Sequence, residues 1–145
     1  MNRAQKIERL LTAIGLTLVG VMGLIGAIGT WNLREGEYHS AFLLLTVLSL
    51  GLGGFEWRQY FKNIPLARGS SGRWIPLITA VMDFALIAGW GYVWLRKWPY
   101  RSGWDNYAYL TLTVMMVTSW GTQGILNIYR FFRHEELQQE DEKDG

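Results

Sequence analysis

The sequence contains no cysteine, which excludes disulfides, thiolate metal sites, cysteine-attached haem and thiol redox chemistry. It also has little charge. Asp, Glu, Lys and Arg make up 18% of the chain, and they are gathered at the two ends and in three short windows. The net charge of +2, on basic residues strung between apolar blocks, gives no surface for nucleic acid. Nothing matches a nucleotide loop, a serine or cysteine nucleophile with its histidine, or a zinc signature. No catalytic residue, metal or cofactor is therefore expected.

Four uncharged blocks remain. No charged residue lies between Arg9 and Arg34, and at 1.5 Å per residue that block is long enough to cross a hydrocarbon core of ~30 Å. Its length, and the lack of a small-x-small cleavage site, argue against a cleaved secretory signal. The pattern predicts an all-α integral membrane protein with spanning helices over about 10–31, 41–57, 75–94 and 107–129. The first and last have no charged face, unlike the helices of a soluble bundle. Pro76 falls in the first turn of the third helix, where the missing N–H costs little. Residues 134–145 are acidic, carry almost no apolar content and are expected to be a mobile tail.

Basic residues set the orientation. Arg3, Lys6, Arg9, Arg58, Lys62, Arg68, Arg73, Arg130, Arg133 and Lys143 fall on one side, against Arg34, Arg96, Lys97 and Arg101 on the other. The positive-inside rule makes the first side cytoplasmic and puts both termini there. Arg58, Lys62, Arg68 and Arg73 are also placed to hold anionic lipid headgroups. Trp31, Trp94, Trp98 and Trp104 on one side, and Trp57, Trp74 and Tyr129 on the other, suit interfacial anchoring. Trp90, Trp94 and Trp98 share one helical face.

The segment Ala41 to Leu48 aligns with Ala108 to Met115, which sets Gly54 opposite Gly121; Leu24, Ile25 and Gly29 then pair with Leu86, Ile87 and Gly91. The chain reads as two tandem helical hairpins sharing one orientation. Within the first hairpin, Gly29-Thr30-Trp31-Asn32, Gly36-Glu37-Tyr38 and the exit Trp57-Arg58-Gln59-Tyr60-Phe61-Lys62 resemble the two-helix domain of the YiaA/YiaB-type inner-membrane proteins. The second copy departs from that pattern after Gly91. The resemblance implies a bacterial inner-membrane location and brings no catalytic residues.

Gly20, Gly23, Gly26 and Gly29 recur every third residue, so this smooth strip winds around the first helix, and a partner must cross it at an angle or it must be shared between two neighbours. Gly51, Gly53 and Gly54 in the second helix and Gly121 and Gly124 in the fourth are candidate counterparts. Asp83 is the one ionisable residue deep in a predicted span, and an aspartate there costs ~2.5–3.5 kcal/mol unless it faces the bundle or a wet cavity. Counting depth across the membrane gives Thr17, Ser49, Ser119 and Gln123 as its hydrogen-bond candidates. Its carboxyl pins helices together, couples a proton or cation, or contacts another subunit. Glu56 reads as a surface ion pair or a snorkelling acid, and His39 with Glu35 and Glu37 is too solvated to make a metal site. The expected function is helix packing, in a homo-oligomer or as an accessory subunit of a membrane complex. The alternative is a small proton- or cation-coupled transport component using Asp83.

Overall fold

The computed structural model describes residues 1–31, 37–67, 72–97 and 103–138. It is all-helical, with α1 Arg3–Gly29, α2 Glu37–Phe61, α3 Trp74–Lys97, α4 Gly103–Phe132 and a short α5 His134–Gln138. The four long helices pack as two pairs, α1 with α2 and α3 with α4, and α1 also lies against α4. Neighbours therefore run α2, α1, α4, α3. Ala27, Phe42 and Met115 form the buried cluster shared by α1, α2 and α4.

The helix α1 starts seven residues before the apolar block predicted at Leu10, because its polar end is capped and docked. The Asn2 Oδ1 accepts the Gln5 backbone N–H at 2.8 Å, and Gln5 Oε1 accepts the Asn2 N–H at 3.2 Å. This reciprocal cap satisfies two donors that a helix start leaves free. The start of the expected solvated tail is the helix α5, whose Leu137 is buried. Asn2 Nδ2 donates to the Glu136 carbonyl at 2.6 Å and Gln5 Nε2 to that of Leu137 at 3.3 Å. Those bonds bring the start of α1 and the helix after α4 to one end of the bundle. Leu137→Ala is expected to lower stability by about 2 kcal/mol. The readout is the thermal midpoint in detergent, and an unchanged midpoint would place α5 outside the cooperative fold. Residues 139–145, Arg34, Glu35, Arg68, Trp98 and Arg101 lie outside the described residues.

The glycine strip sets the α1–α2 seam. A Cβ on Gly20 would meet Leu50, one on Gly23 Thr46, and one on Gly26 Phe42. Steps of three along α1 thus engage steps of four along an antiparallel α2, the ridge pairing that gives crossings near ~20°. Gly29 has turned toward α4, where Tyr107 covers it and donates to the Ile25 carbonyl at 3.1 Å. Gly53, rather than Gly54, takes the next α2 contact, against Thr17; a Cβ on Gly54 meets nothing. A Cβ on Gly121, which the sequence alignment sets opposite Gly54, would stand 3.9 Å from Ile87 Cδ1.

At the end of α2, Asn63 adopts a left-handed φ of 55°. Its N–H reaches the Tyr60 carbonyl and that of Ile64 reaches Gln59, each at 3.1 Å, closing a Schellman cap. Pro65 follows and prevents resumption of the helix.

Among the described residues, three helices are long and apolar enough to cross a membrane: Arg3–Gly29, His39–Phe61 and Trp74–Arg96. At 30 residues α4 has the length, but it carries Thr111, Thr113, Thr118, Ser119, Thr122, Gln123 and Asn127. Two of these side chains are satisfied within the helix. Thr111 and Thr122 each donate to the carbonyl four residues earlier, at 3.0 and 2.7 Å.

Candidate functional site

The polar contacts among the described residues concentrate at the end of the bundle that holds the start of α1. Antiparallel packing brings there the end of α2, the start of α3 and the end of α4. Four charged side chains, in the pairs Arg9–Glu56 and Glu8–Arg130, bind α1 to its neighbours. Arg9 is buried, pairs with Glu56 of α2 and donates from Nη2 to the Pro65 carbonyl at 2.8 Å. Glu56 is accordingly a largely buried partner of Arg9, not a surface acid beside Arg58. On the other side of α1, the buried Glu8 accepts from Arg130 Nε of α4 at 2.6 Å. Tyr129 donates to the Ala4 carbonyl at 3.2 Å alongside.

Arg130 continues the network toward α3. Its Nη1 donates to Asn127 Oδ1 at 3.2 Å, and Asn127 Nδ2 donates to Asp83 Oδ2 at 3.3 Å. Because a guanidinium only donates, it fixes which end of the amide faces it, and the amide nitrogen must face Asp83. A continuous line therefore runs Asp83, Asn127, Arg130, Glu8 across three helices. Asp83 is half-buried and Asn127 is buried.

Beside this line lies a cavity of about 430 Å³. Thr79 of α3, Gln123, Asn127 and Arg130 of α4, and Glu8 of α1 form its polar wall, with His134 and Gln138 of α5 at one end. Leu66 and Ala67, set by the Asn63 cap, and Ile75 and Pro76 at the start of α3 supply the apolar side.

Asp83 thus finds a partner that depth counting missed. Asn127 lies one turn beyond Gln123 along α4. Thr17 faces the other way, into the α1–α2 seam, where it accepts the Trp57 indole N–H at 3.0 Å. Ser49 is buried on α2, with α1 and α4 between it and α3, and Ser119 is half-buried on α4. Gln123 is exposed and lines the cavity without bonding Asp83. The missed residues, Asn127 and Arg130, carried a signal: with Gln123 they recur at four and three residues, a polar stripe on one face of α4.

The other predicted sites scatter. Arg58, Lys62 and Arg73 are exposed at this same end, and the Arg73 guanidinium lies 5.2 Å from the Phe131 ring centroid. His39 is buried, with Nδ1 3.3 Å from Thr30 Oγ1 and its ring edge-on to Trp31. Trp90 donates to Thr113 Oγ1 at 3.0 Å, so it ties α3 to α4 rather than standing free at an interface. No protein-family model, curated protein or solved structure matches this chain. It is a small multi-helix membrane protein, and the arrangement of its own side chains is the guide to what it does.

Proposed function

We propose that this chain is a non-enzymatic, multi-pass membrane protein that works by lateral helix packing, in a homo-oligomer whose copies meet through α3. The observation that carries this reading is the state of α3. In its most apolar stretch 6% of the residues are buried, against 33% for α1, and its main packing is on α4 alone. Lipid covers apolar side chains readily, so exposure by itself carries little weight. Small residues matter more, because they let backbones approach. Ala85 and Gly89, one turn apart and both exposed, fall away from the seam that Ala80, Phe84 and Ile87 make with α4.

A glycine costs a helix interior about 1 kcal/mol relative to alanine. On α1 the strip glycines return close contacts with α2 and α4, whereas a Cβ on Gly89 meets nothing within 4 Å. A second copy pressed against Ala85 and Gly89 supplies the missing contact. In this reading α4 is the fourth span, supported by its internally bonded threonines and its place between α1 and α3. The Lys/Arg bias puts both termini in the cytoplasm, and the resemblance of the first hairpin is the reason to propose a bacterial inner membrane.

Native mass measurement in mild detergent tests the proposal. Wild type is expected to run as a defined oligomer and Gly89→Leu as a monomer with unchanged helical content. A wild-type monomer at every detergent concentration would remove the reading. A stoichiometric complex with a different membrane protein would replace it with an accessory role.

A further inference from the structure

The cavity and Asp83 make a second device, independent of whether copies associate. Within the polar line, Arg130 is matched by Glu8 at 2.6 Å. The remaining acid is Asp83, whose hydrogen bond comes from a neutral amide. Asp83 lies nine residues into α3 from Trp74, or about 13 Å along the axis, which is near the middle of a ~30 Å hydrocarbon core. The cavity lies toward the termini and meets Asp83 through its partner Asn127; Thr79, one turn away on α3, lines it, as does the exposed Gln123, which stands on α4 at about the level of Asp83. Above it the seam is apolar. Phe84 packs on Gly124, Ile87 approaches Gly121, and the Trp90–Thr113 hydrogen bond closes the line.

We propose that this cavity is a one-sided proton path, which admits water from the side of the membrane bearing the termini and lets Asp83 take up and release a proton. Uptake converts the carboxylate and a hydronium ion into the carboxylic acid and water, with no other reactant. A proton fits better than an alkali cation. A desolvated metal ion at this depth needs several oxygen ligands, whereas the group turned toward Asp83 is the amide N–H of Asn127, a donor that repels cations. The main packing of α3 is on α4, and the charged or titratable groups around the cavity are Arg130 of α4, Glu8 of α1 and His134 of α5. Asn127 then links the charge state of Asp83 to the Arg130–Glu8 pair that holds α4 on α1.

Two measurements on the full chain in lipid bilayers test this. Infrared difference spectra recorded as the pH is stepped are expected to show a carboxylic acid C=O band on acidification. That band should be missing in Asp83→Asn and unmoved when choline chloride replaces sodium chloride at fixed pH. The absence of native cysteine makes the path separately readable. In sealed vesicles, Gln123→Cys should react with a membrane-impermeant maleimide added on the terminal side, and Ile87→Cys from neither side. This labelling keeps Asp83 in place, so it reports even if Asp83→Asn does not fold. An Asp83-independent band, a sodium-dependent one, or equal protection of Gln123→Cys and Ile87→Cys would overturn the proposal.

Discussion

Gly23→Leu is expected to destabilise the bundle by about 3 kcal/mol and to separate α1 from α2. A Cβ at that position would stand 2.6 Å from Thr46 Oγ1, 3.2 Å from the Thr46 backbone N and 3.3 Å from its Cα. A rotamer change can relieve the first contact. The backbone contacts cannot yield without moving α2 itself, and leucine adds three further carbons in the same direction. Gly54→Leu is the matched control on the facing helix. Its position is open, so the variant should hold its midpoint or gain up to about 1 kcal/mol from helix propensity. Thermal unfolding in detergent, with size measured on the same samples, distinguishes the two. Equal midpoints for both variants would mean that the seam is not where α1 and α2 are held.

Arg9→Met is expected to cost about 3–5 kcal/mol, because it leaves Glu56 charged in a largely buried site. The two side chains are 5% and 13% exposed, so solvent offers little relief. Arg9 also donates to the Pro65 carbonyl, and its loss frees the loop that walls the cavity. The double variant Arg9→Met with Glu56→Met should recover most of the loss, since it removes both charges and keeps similar volume. A double-mutant cycle in a bilayer mimic reads the coupling directly. A double variant no better than Arg9→Met alone would show that the cost came from the loop rather than from the pair.

These two sites differ in how visible they were from sequence. The three-residue glycine spacing predicted a winding strip that one partner crosses at an angle or two neighbours share; in the structure Gly20 to Gly26 face α2 and Gly29 faces α4. The pairing of Arg9 with Glu56 was not visible. Charged residues flanking apolar blocks look alike whether they face water or one another, and a positive-inside count treats Arg9 as solvated. The capped start of α1 and the docking of α5 turned that flank into packed structure. The partner of Asp83 was misplaced for a related reason: depth along each helix follows from counting residues, but which helices adjoin does not.

What the amino-acid order determined was set by rise per residue and the cost of charge in hydrocarbon. Uncharged blocks long enough to cross a bilayer, short polar joints and one lone acid at mid-depth all follow from those two quantities. Tertiary structure decided the lateral order α2, α1, α4, α3, because helices in lipid choose neighbours by local fit and hydrogen bonding, which no periodicity encodes. That order took Thr17 and Ser49 away from Asp83, gave it Asn127 instead, and opened the cavity beside it.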